Sequence, residues 1–425
     1  MADALSELTA GFGALKEMSY QDRAAGLQRL ADLLEARQDE LARLMAEEMG
    51  KPVKQGRAEA VKCASACRYY AEHGAAMLAP QEREGATIIY QPLGTVLAIM
   101  PWNFPLWQAF RFAAPALMAG NTILLKHATN VPGCAKAIVA LVAEAFGRGD
   151  LIHAVFIPGK EVEPLIADPR VRAVTFTGST EAGRKVAAAA GKHLKKSVLE
   201  LGGSDPYLIL HDADLAAAAK TCAAARMVNG GQSCIAAKRF LVAATVHDEF
   251  VDLLAKELAV FVPGDPLNEA TLLGPMARED LRDEIHAQVK DSVAAGATLV
   301  LGGEIPELRD KSYYPATLLT DVKPGIRAFD EETFGPVAAV VKVSGDEEAV
   351  WLANLTPFGL GAAVFSSDPA RARAIAERIE SGTVAINTQV VSDPRFPFGG
   401  VKDSGWGREL GEEGIREFVN VKTLR

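Results

Sequence analysis

The sequence predicts an α/β protein whose core is a doubly wound parallel sheet, and three observations carry that prediction. After Pro80, short runs of β-branched and aliphatic residues alternate with helical patterns, the rhythm of repeated strand–helix–strand units. A second series of the same kind opens at Gly202-Gly203, so the chain holds two comparable αβ halves. Its 425 residues are the length of two or three domains, and 49% hydrophobic against 23% charged residues supply large cores and exclude a disordered chain.

The N-terminal stretch is helical. Leu27, Leu30, Leu33, Leu34, Leu41, Leu44 and Met45 recur at spacings of three and four between charges, from an N-cap at Ser19 to a stop at Gly50-Lys51-Pro52. A second helical stretch runs through Tyr69 and Tyr70. The first αβ series then places strands at Thr95–Met100, Thr122–Lys126, Ala154–Ile157, Ala173–Thr177 and Ser197–Leu201. Helices fit between them at Trp107–Met118, Cys134–Phe146, Val162–Ala167 and Glu181–Ala190. The second series places strands at Pro206–Leu210, Arg239–Ala243, Leu299–Leu301, Val337–Val343, Gly361–Phe365 and Val384–Asn387. Its helices fall at Ala213–Met227, Asp248–Phe261, Arg278–Ala295, Asp346–Asn354 and Pro369–Glu380. Parallel sheets bind ligands at the carboxyl ends of their strands, and a cleft between two halves is the natural place for a site.

Charge and composition narrow the function. With 45 basic and 54 acidic residues the net charge is −9, which argues against nucleic acid or an acidic membrane as partner. No apolar run approaches the ~18 residues of a membrane span, and Met1-Ala2-Asp3 opens nothing like a signal peptide. Five scattered cysteines cannot form a disulfide scaffold, and Cys63 and Cys67 read as small core residues. None of the seven histidines stands in a HExxH or HxH arrangement, so no metal is expected. These features predict a soluble protein of the reducing cytoplasm.

Four motifs carry chemistry. Cys234 ends Asn229-Gly-Gly-Gln-Ser-Cys234, where glycines keep bulk away from the thiol and free backbone N–H groups for a reacting oxygen. Glu200, in Val198-Leu-Glu-Leu-Gly-Gly203, closes a strand at the mouth of the sheet; partial burial would fit it for general-base work. Gly178-Ser-Thr-Glu-Ala-Gly183 is a strand–turn–helix junction that suits either a phosphate or a simple turn. Its GxxxxG spacing is neither the GxGxxG fingerprint nor a P-loop. In Pro101-Trp-Asn-Phe-Pro105, two prolines stiffen a loop from which Asn103 can offer an N–H to an oxyanion.

Taken together and in this order, these motifs resemble those of the aldehyde dehydrogenase superfamily. The match continues through Glu331-Glu-Thr-Phe-Gly-Pro336, Pro397-Phe-Gly-Gly-Val-Lys-Asp-Ser-Gly405 and Gly407-Arg-Glu-Leu-Gly411, covering nearly the whole chain. The resemblance implies Cys234 as the nucleophile on the aldehyde carbon, Asn103 with the Cys234 N–H as oxyanion donors, and Glu200 as the base that activates hydrolytic water. It implies a Cys234 thiolate made available by a lowered pKa or by a base. For the cofactor it implies Lys126 near the adenosine ribose, Ser179 at the pyrophosphate, and Glu332 on the nicotinamide ribose with Phe334 beside it. Trp102, Thr129, Asn130, Gly159 and Gly178 complete that surface.

Departures from the family pattern sharpen the expectation. Many NAD-preferring members carry Glu three residues after this lysine, whereas here the run is Lys126-His-Ala-Thr129-Asn130. Without that negative charge a 2′-phosphate is no longer repelled, so NADP is the expected cofactor, with NAD also used. Arg111 stands where succinate-semialdehyde dehydrogenases place an arginine that grips a carboxylate, and Ser392 and Arg395 fall where that subgroup also contacts substrate. Ala236 replaces the second cysteine of a redox switch, so none is expected. The chain lacks the usual Asn-Pro-Ala-Thr-Gly segment before its first long helix, which leaves the N-terminal edge of the cofactor domain open.

The resemblance therefore implies a dinucleotide-binding domain over residues 1–79 and 94–200, a catalytic domain over 201–405, and bridging strands at 80–93 and 415–425. Pairing of those strands across subunits, as in the family, implies a homodimer or homotetramer. The expected reaction is oxidation of succinate semialdehyde to succinate. The alternatives are another aldehyde (glutarate semialdehyde, aliphatic or aromatic), a CoA-acylating dehydrogenase, which Glu200 weighs against, and a non-catalytic scaffold.

Overall fold

The computed structural model describes residues 2–307 and 312–425. Four helices open the chain, at Ala2–Glu17, Tyr20–Ala36, Gln38–Met49 and Val53–Met77. Ser19 caps the second, accepting from the Asp22 N–H at 3.1 Å, and Gly50 ends the third in the left-handed conformation (φ 77°). The single run expected from Ser19 to Gly50 is divided at Arg37 (φ −105°, ψ 17°), with no Gly or Pro to announce the break. The first helix was not anticipated. Gly11 and Gly13 interrupt its apolar rhythm, yet Leu5, Leu8 and Leu15 are buried, and a side chain at Gly11 would collide with the Asp150 carbonyl.

Two large sheets follow. The first has six strands in the order Gly405–Trp406, Lys196–Glu200, Val171–Thr177, Thr95–Met100, Thr122–His127, Ile152–Ala154. All neighbours are parallel except Gly405–Trp406, which runs antiparallel to Lys196–Glu200. Thr95–Met100 is buried on both faces, as a central parallel strand between helical layers must be. The edge strand begins and ends earlier than the expected Ala154–Ile157. Its last rung is Val155 N–H to Leu125 O (2.8 Å), after which Phe156 turns out to solvent and Pro158 cannot donate.

The second sheet has seven strands in the order Thr298–Leu301, Thr317–Thr320, Val337–Val343, Ala237–Ala243, Asp205–Ile209, Gly361–Phe365, Thr383–Ile386. Only Thr298–Leu301 is antiparallel to its neighbour. Thr317–Thr320 escaped the sequence reading because four residues are too few to establish an alternation. A separate three-stranded antiparallel sheet joins Gln81–Arg83, Ala86–Pro92 and Val419–Leu424. Asn121 ties it to the first sheet by donating to Phe418 O (2.9 Å) and accepting from the N–H of Leu93 and Gly94 (2.8 and 3.1 Å). No helix among the described residues is long and apolar enough to cross a membrane.

In the first sheet the chain lays Thr122–His127 on one side of Thr95–Met100 and Val171–Thr177 on the other. This reversal splays apart the loops that leave the carboxyl ends of Thr95–Met100 and Val171–Thr177, opening a crevice there. The Pro101–Pro105 and Gly178–Ser179 loops are the ones that leave it.

Candidate active site

The crevice is a cavity of about 680 Å³ whose wall includes Trp102, Asn103, Gly178, Ser179, Cys234, Glu332 and Phe334. Cys234 reaches it through a backbone that only its sequence allows. Asn229 and Gly230 take left-handed conformations (φ 53° and 62°), and a side chain at Gly231 would run into the Gly335 carbonyl. The Asn229 side chain donates to the carbonyls of Asn103 (2.7 Å) and Gln232 (3.1 Å), stitching the two loops together. Asn103 is buried, and its own Nδ2 spends one N–H on Gln232 O (3.1 Å), which leaves the second for a ligand oxygen.

Behind Cys234 lies a group the sequence reading missed. Lys238 is fully buried, and its Nζ donates to the carbonyls of Ser233 (2.9 Å) and Cys234 (2.7 Å) while standing 3.5 Å from Glu332 Oε1. One buried ammonium thus links the nucleophile's backbone to the carboxylate expected on the cofactor ribose. Burial lowers the lysine pKa, with Glu332 and Asp205 working against that shift. Glu332 also accepts from the Gly203 N–H (3.1 Å), and Phe334 meets Trp102 edge-on with centroids 5.9 Å apart.

The electrostatics of the thiol differ from expectation. Burial pushes Cys234 up to about 12; Arg111 and Lys238 pull it down, and Glu200 and Glu332 push it further up. A lowered thiol pKa is therefore corrected, which leaves base assistance as the route to the thiolate. Glu200 ends the strand Lys196–Glu200 with 1% of its surface exposed and both carboxyl oxygens without a partner among the described residues. Burial raises its pKa well above the carboxylate range, Arg111 opposing and Glu409 reinforcing. Gly399 makes room for it, because a Cβ there would lie 2.7 Å from Glu200 Oε1.

Arg111 is buried in an ion pair with Glu409, a residue the sequence reading passed over. It also stacks on Phe398 at 4.8 Å and donates to Thr177 Oγ1 at 3.4 Å. The guanidinium expected to grip a substrate carboxylate thus already faces a carboxylate of its own chain. Ser392 is buried and accepts from Lys62 Nζ (2.8 Å) and Trp107 Nε1 (3.1 Å). Arg395 lies on the surface, holding Asp393 with Nε and Nη2 at 3.0 and 2.6 Å.

The outer cofactor residues divide. Ser179 caps the helix Thr180–Lys192, accepting from the Ala182 N–H at 3.4 Å, and lines the cavity with Gly178, so the helix starts at the cavity wall. Lys126 is in register with Ile99, next to the Pro101 loop, half-buried and free of any ion pair among the described residues; burial lowers its pKa. Asn130 Nδ2 is shielded without a partner, and Thr129 is exposed. An unpaired cation, an orphaned donor and an open helix N-terminus fit an anionic dinucleotide. Gly159 starts a short exposed turn, Gly159–Glu161.

A second buried pair holds the Asn103 loop from behind. Glu59 accepts from the N–H groups of Leu106 and Trp107 (both 2.9 Å) and pairs with buried Lys51, whose Nζ sits 4.0 Å over the Phe104 ring. Glu59→Ala strands the Lys51 charge and is expected to cost about 3–5 kcal/mol of stability. Urea unfolding checks this, and an unshifted midpoint would mean the pair does not brace the loop.

Comparison with known proteins places this geometry. A sequence profile of the aldehyde dehydrogenase family matches residues 1–424. An aldehyde dehydrogenase of Paenarthrobacter nicotinovorans is 48% identical over 432 residues, covering 99% of this chain and 93% of its own. Succinate-semialdehyde dehydrogenase (NADP+) 1 of Mycobacterium tuberculosis is 47% identical over 420 residues, covering 97% of this chain and 92% of its own. Among solved structures, succinic semialdehyde dehydrogenase of Streptococcus pyogenes in complex with NADP+ superposes with a TM-score of 0.97 at 36% identity, covering 100% of this chain and 94% of its own. An NAD-dependent aldehyde dehydrogenase of Sinorhizobium meliloti gives 0.94 at 35%, covering 100% and 86%. With a family profile spanning almost every residue and relatives near half identity, this chain belongs to the aldehyde dehydrogenase family.

Proposed function

We propose that the chain oxidises succinate semialdehyde to succinate with NADP, NAD serving as a second acceptor. The observation that carries this reading is the shared cavity: Cys234 and Asn103 stand in one wall with Ser179 and Glu332 in the rest. Relatives named as NADP-dependent succinate-semialdehyde dehydrogenases support the choice of substrate and cofactor. Thr129, which brings no negative charge to the ribose region, supports NADP.

Cys234 Sγ adds to the aldehyde carbon as its proton passes to Glu200 and on to solvent, giving a thiohemiacetal. The free N–H of Asn103 and the Cys234 backbone N–H hold the oxygen as it gains charge. Ser179, Lys126 and Glu332 would hold NADP, which would supply the hydride acceptor. The thioester left on Cys234 is then hydrolysed by a water whose proton passes to Glu200, releasing succinate and the thiol. Throughout, Lys238 fixes the carbonyl side of Cys234 and limits the nucleophile's movement. In this reading, residues 1–79 and 94–200 hold the dinucleotide and 201–405 carry the chemistry. The strands at 80–93 and 415–425 pair with another copy in a homodimer or homotetramer. Five free cysteines suit a cytoplasmic location.

The test is a comparison of initial rates of succinate-semialdehyde oxidation with NADP and with NAD. Efficient turnover with NADP is expected, and turnover with NAD alone would reject the cofactor assignment. Thr129→Glu is expected to raise the KM for NADP about tenfold or more while sparing NAD, because the new carboxylate faces the 2′-phosphate. A second reading, oxidation of neutral aldehydes, draws on the neutralisation of Arg111 by Glu409. Faster turnover of butanal than of succinate semialdehyde would favour it.

A further inference from the structure

We infer that Lys62, together with the Ser392 hydroxyl, receives the distal carboxylate of the aldehyde and sets the preference for short ω-oxo acids. The inference rests on the proposed oxidation of a carboxylated aldehyde and names the group that reads the acid.

The starting point is the arginine that does not fit that role. Arg111 is buried and its charge is met by Glu409, so a second carboxylate there would meet a charge already compensated. Lys62 differs. It projects from the helix Val53–Met77, lies 4.3 Å over the Trp107 ring and donates to Ser392 Oγ at 2.8 Å. Among the described residues no carboxylate stands within ion-pair distance of it. The nearby acids are already engaged: Glu59 by Lys51 and two backbone N–H groups, Asp393 by Arg395. Arg395 thereby acquires a role other than the expected substrate contact, since its guanidinium is the direct partner of Asp393, the acid nearest in sequence to Ser392.

The unspent donors point the same way. Ser392 Oγ accepts two hydrogen bonds and donates none among the described residues. Lys62 uses one N–H on that oxygen, leaving two. A half-buried ammonium and a buried hydroxyl therefore sit side by side with three free donors and an unanswered positive charge, which is a carboxylate's complement. Burial and the neighbouring Arg111 push Lys62 down to about 8, against a smaller opposing pull from Cys63, Glu59 and Asp393; an arriving anion relieves that cost. The position is also right along the chain. Trp107, which contacts Lys62 and Ser392, opens the helix that follows the Asn103 loop and precedes Arg111 by one helical turn. Arg111 in turn acts electrostatically on both Lys62 and Cys234.

The test compares succinate semialdehyde with butanal, which has the same carbon count and no acid, in Lys62→Met, Lys62→Arg and Arg111→Met. Lys62→Met is expected to lower the ratio of kcat/KM between acid and neutral aldehyde roughly 10- to 100-fold, mainly through KM, the worth of one charged hydrogen-bonding partner. Lys62→Arg restores part of the ratio. Equal losses on both aldehydes would mean that Lys62 only props Trp107, and a selective loss in Arg111→Met alone would return the clamp to Arg111; either result overturns the proposal. A second measurement separates it from the choice of substrate. Succinate should protect Cys234 from iodoacetamide in the unmodified enzyme and fail to do so in Lys62→Met. Absent or equal protection overturns the Lys62 assignment whichever aldehyde the enzyme oxidises.

Discussion

Cys234→Ser is expected to lower aldehyde oxidation by at least about 10⁴-fold, the scale on which removal of a covalent nucleophile acts. Serine nearly matches the thiol in volume, so the loop built on Asn229-Gly-Gly stays as it is and the loss reports on chemistry. A hydroxyl beside Glu200 and Glu332 is harder to ionise than the thiol, which burial already pushes up to about 12. The same thiol offers a direct readout. Cys63, Cys67, Cys134 and Cys222 are buried and Cys234 is the partly exposed one, so iodoacetamide should add once to the native enzyme and not at all to Cys234→Ser. Because the thiol is raised, the labelling rate should climb throughout the interval from about pH 7 to 10. A plateau reached near neutrality would contradict the electrostatics described for the site.

Glu200→Gln is expected to separate the two halves of the reaction. The amide keeps shape and burial but cannot take a proton from water, so deacylation should fall by about 10²–10⁴-fold, the usual worth of a general base. Acylation should persist at a reduced rate, since Glu200 also acts electrostatically on the thiol. The result to look for is a burst of reduced cofactor followed by a slow steady state, with the acyl-enzyme visible by intact mass. The unmodified enzyme needs Glu200 ionised, and burial holds its pKa well above the ordinary carboxylate range. Its kcat should therefore fall as pH drops through that raised value, and Glu200→Gln should lose this acid limb. An equal slowing of burst and steady state would place Glu200 outside the hydrolytic step.

The parts of the fold that were legible share a physical cause. Val337–Val343, Gly361–Phe365 and Asp346–Asn354 were read at their observed bounds because β-branched or periodic runs are set off by Pro336 and Ser344, by Ser366, and by Gly345. The helix Ala2–Glu17 was hidden because its apolar rhythm is broken at Gly11, which serves a tertiary contact with Asp150. In the site, glycine-rich motifs announced the loops at 178, 202 and 229, since tight approach of backbone leaves a mark in sequence. Charges leave no such mark. That Arg111 meets Glu409, that Glu59 reaches the N–H groups of Leu106 and Trp107, and that Lys62 meets Ser392 are consequences of folding over long separations. The unpaired state of Lys62 in particular goes with the pairing of Asp393 to Arg395.

Glu409 sits on a chain segment that zips to Phe398 through reciprocal backbone bonds and runs on, through Gly411–Arg416, into the outer strand Val419–Leu424. The counter-charge of Arg111 is thus mounted on the segment that leads into an outer strand. A substitution or a neighbouring molecule that displaces Val419–Leu424 pulls on a buried carboxylate that helps set the charge on Glu200, so the cavity's charge balance is open to retuning from outside the cavity.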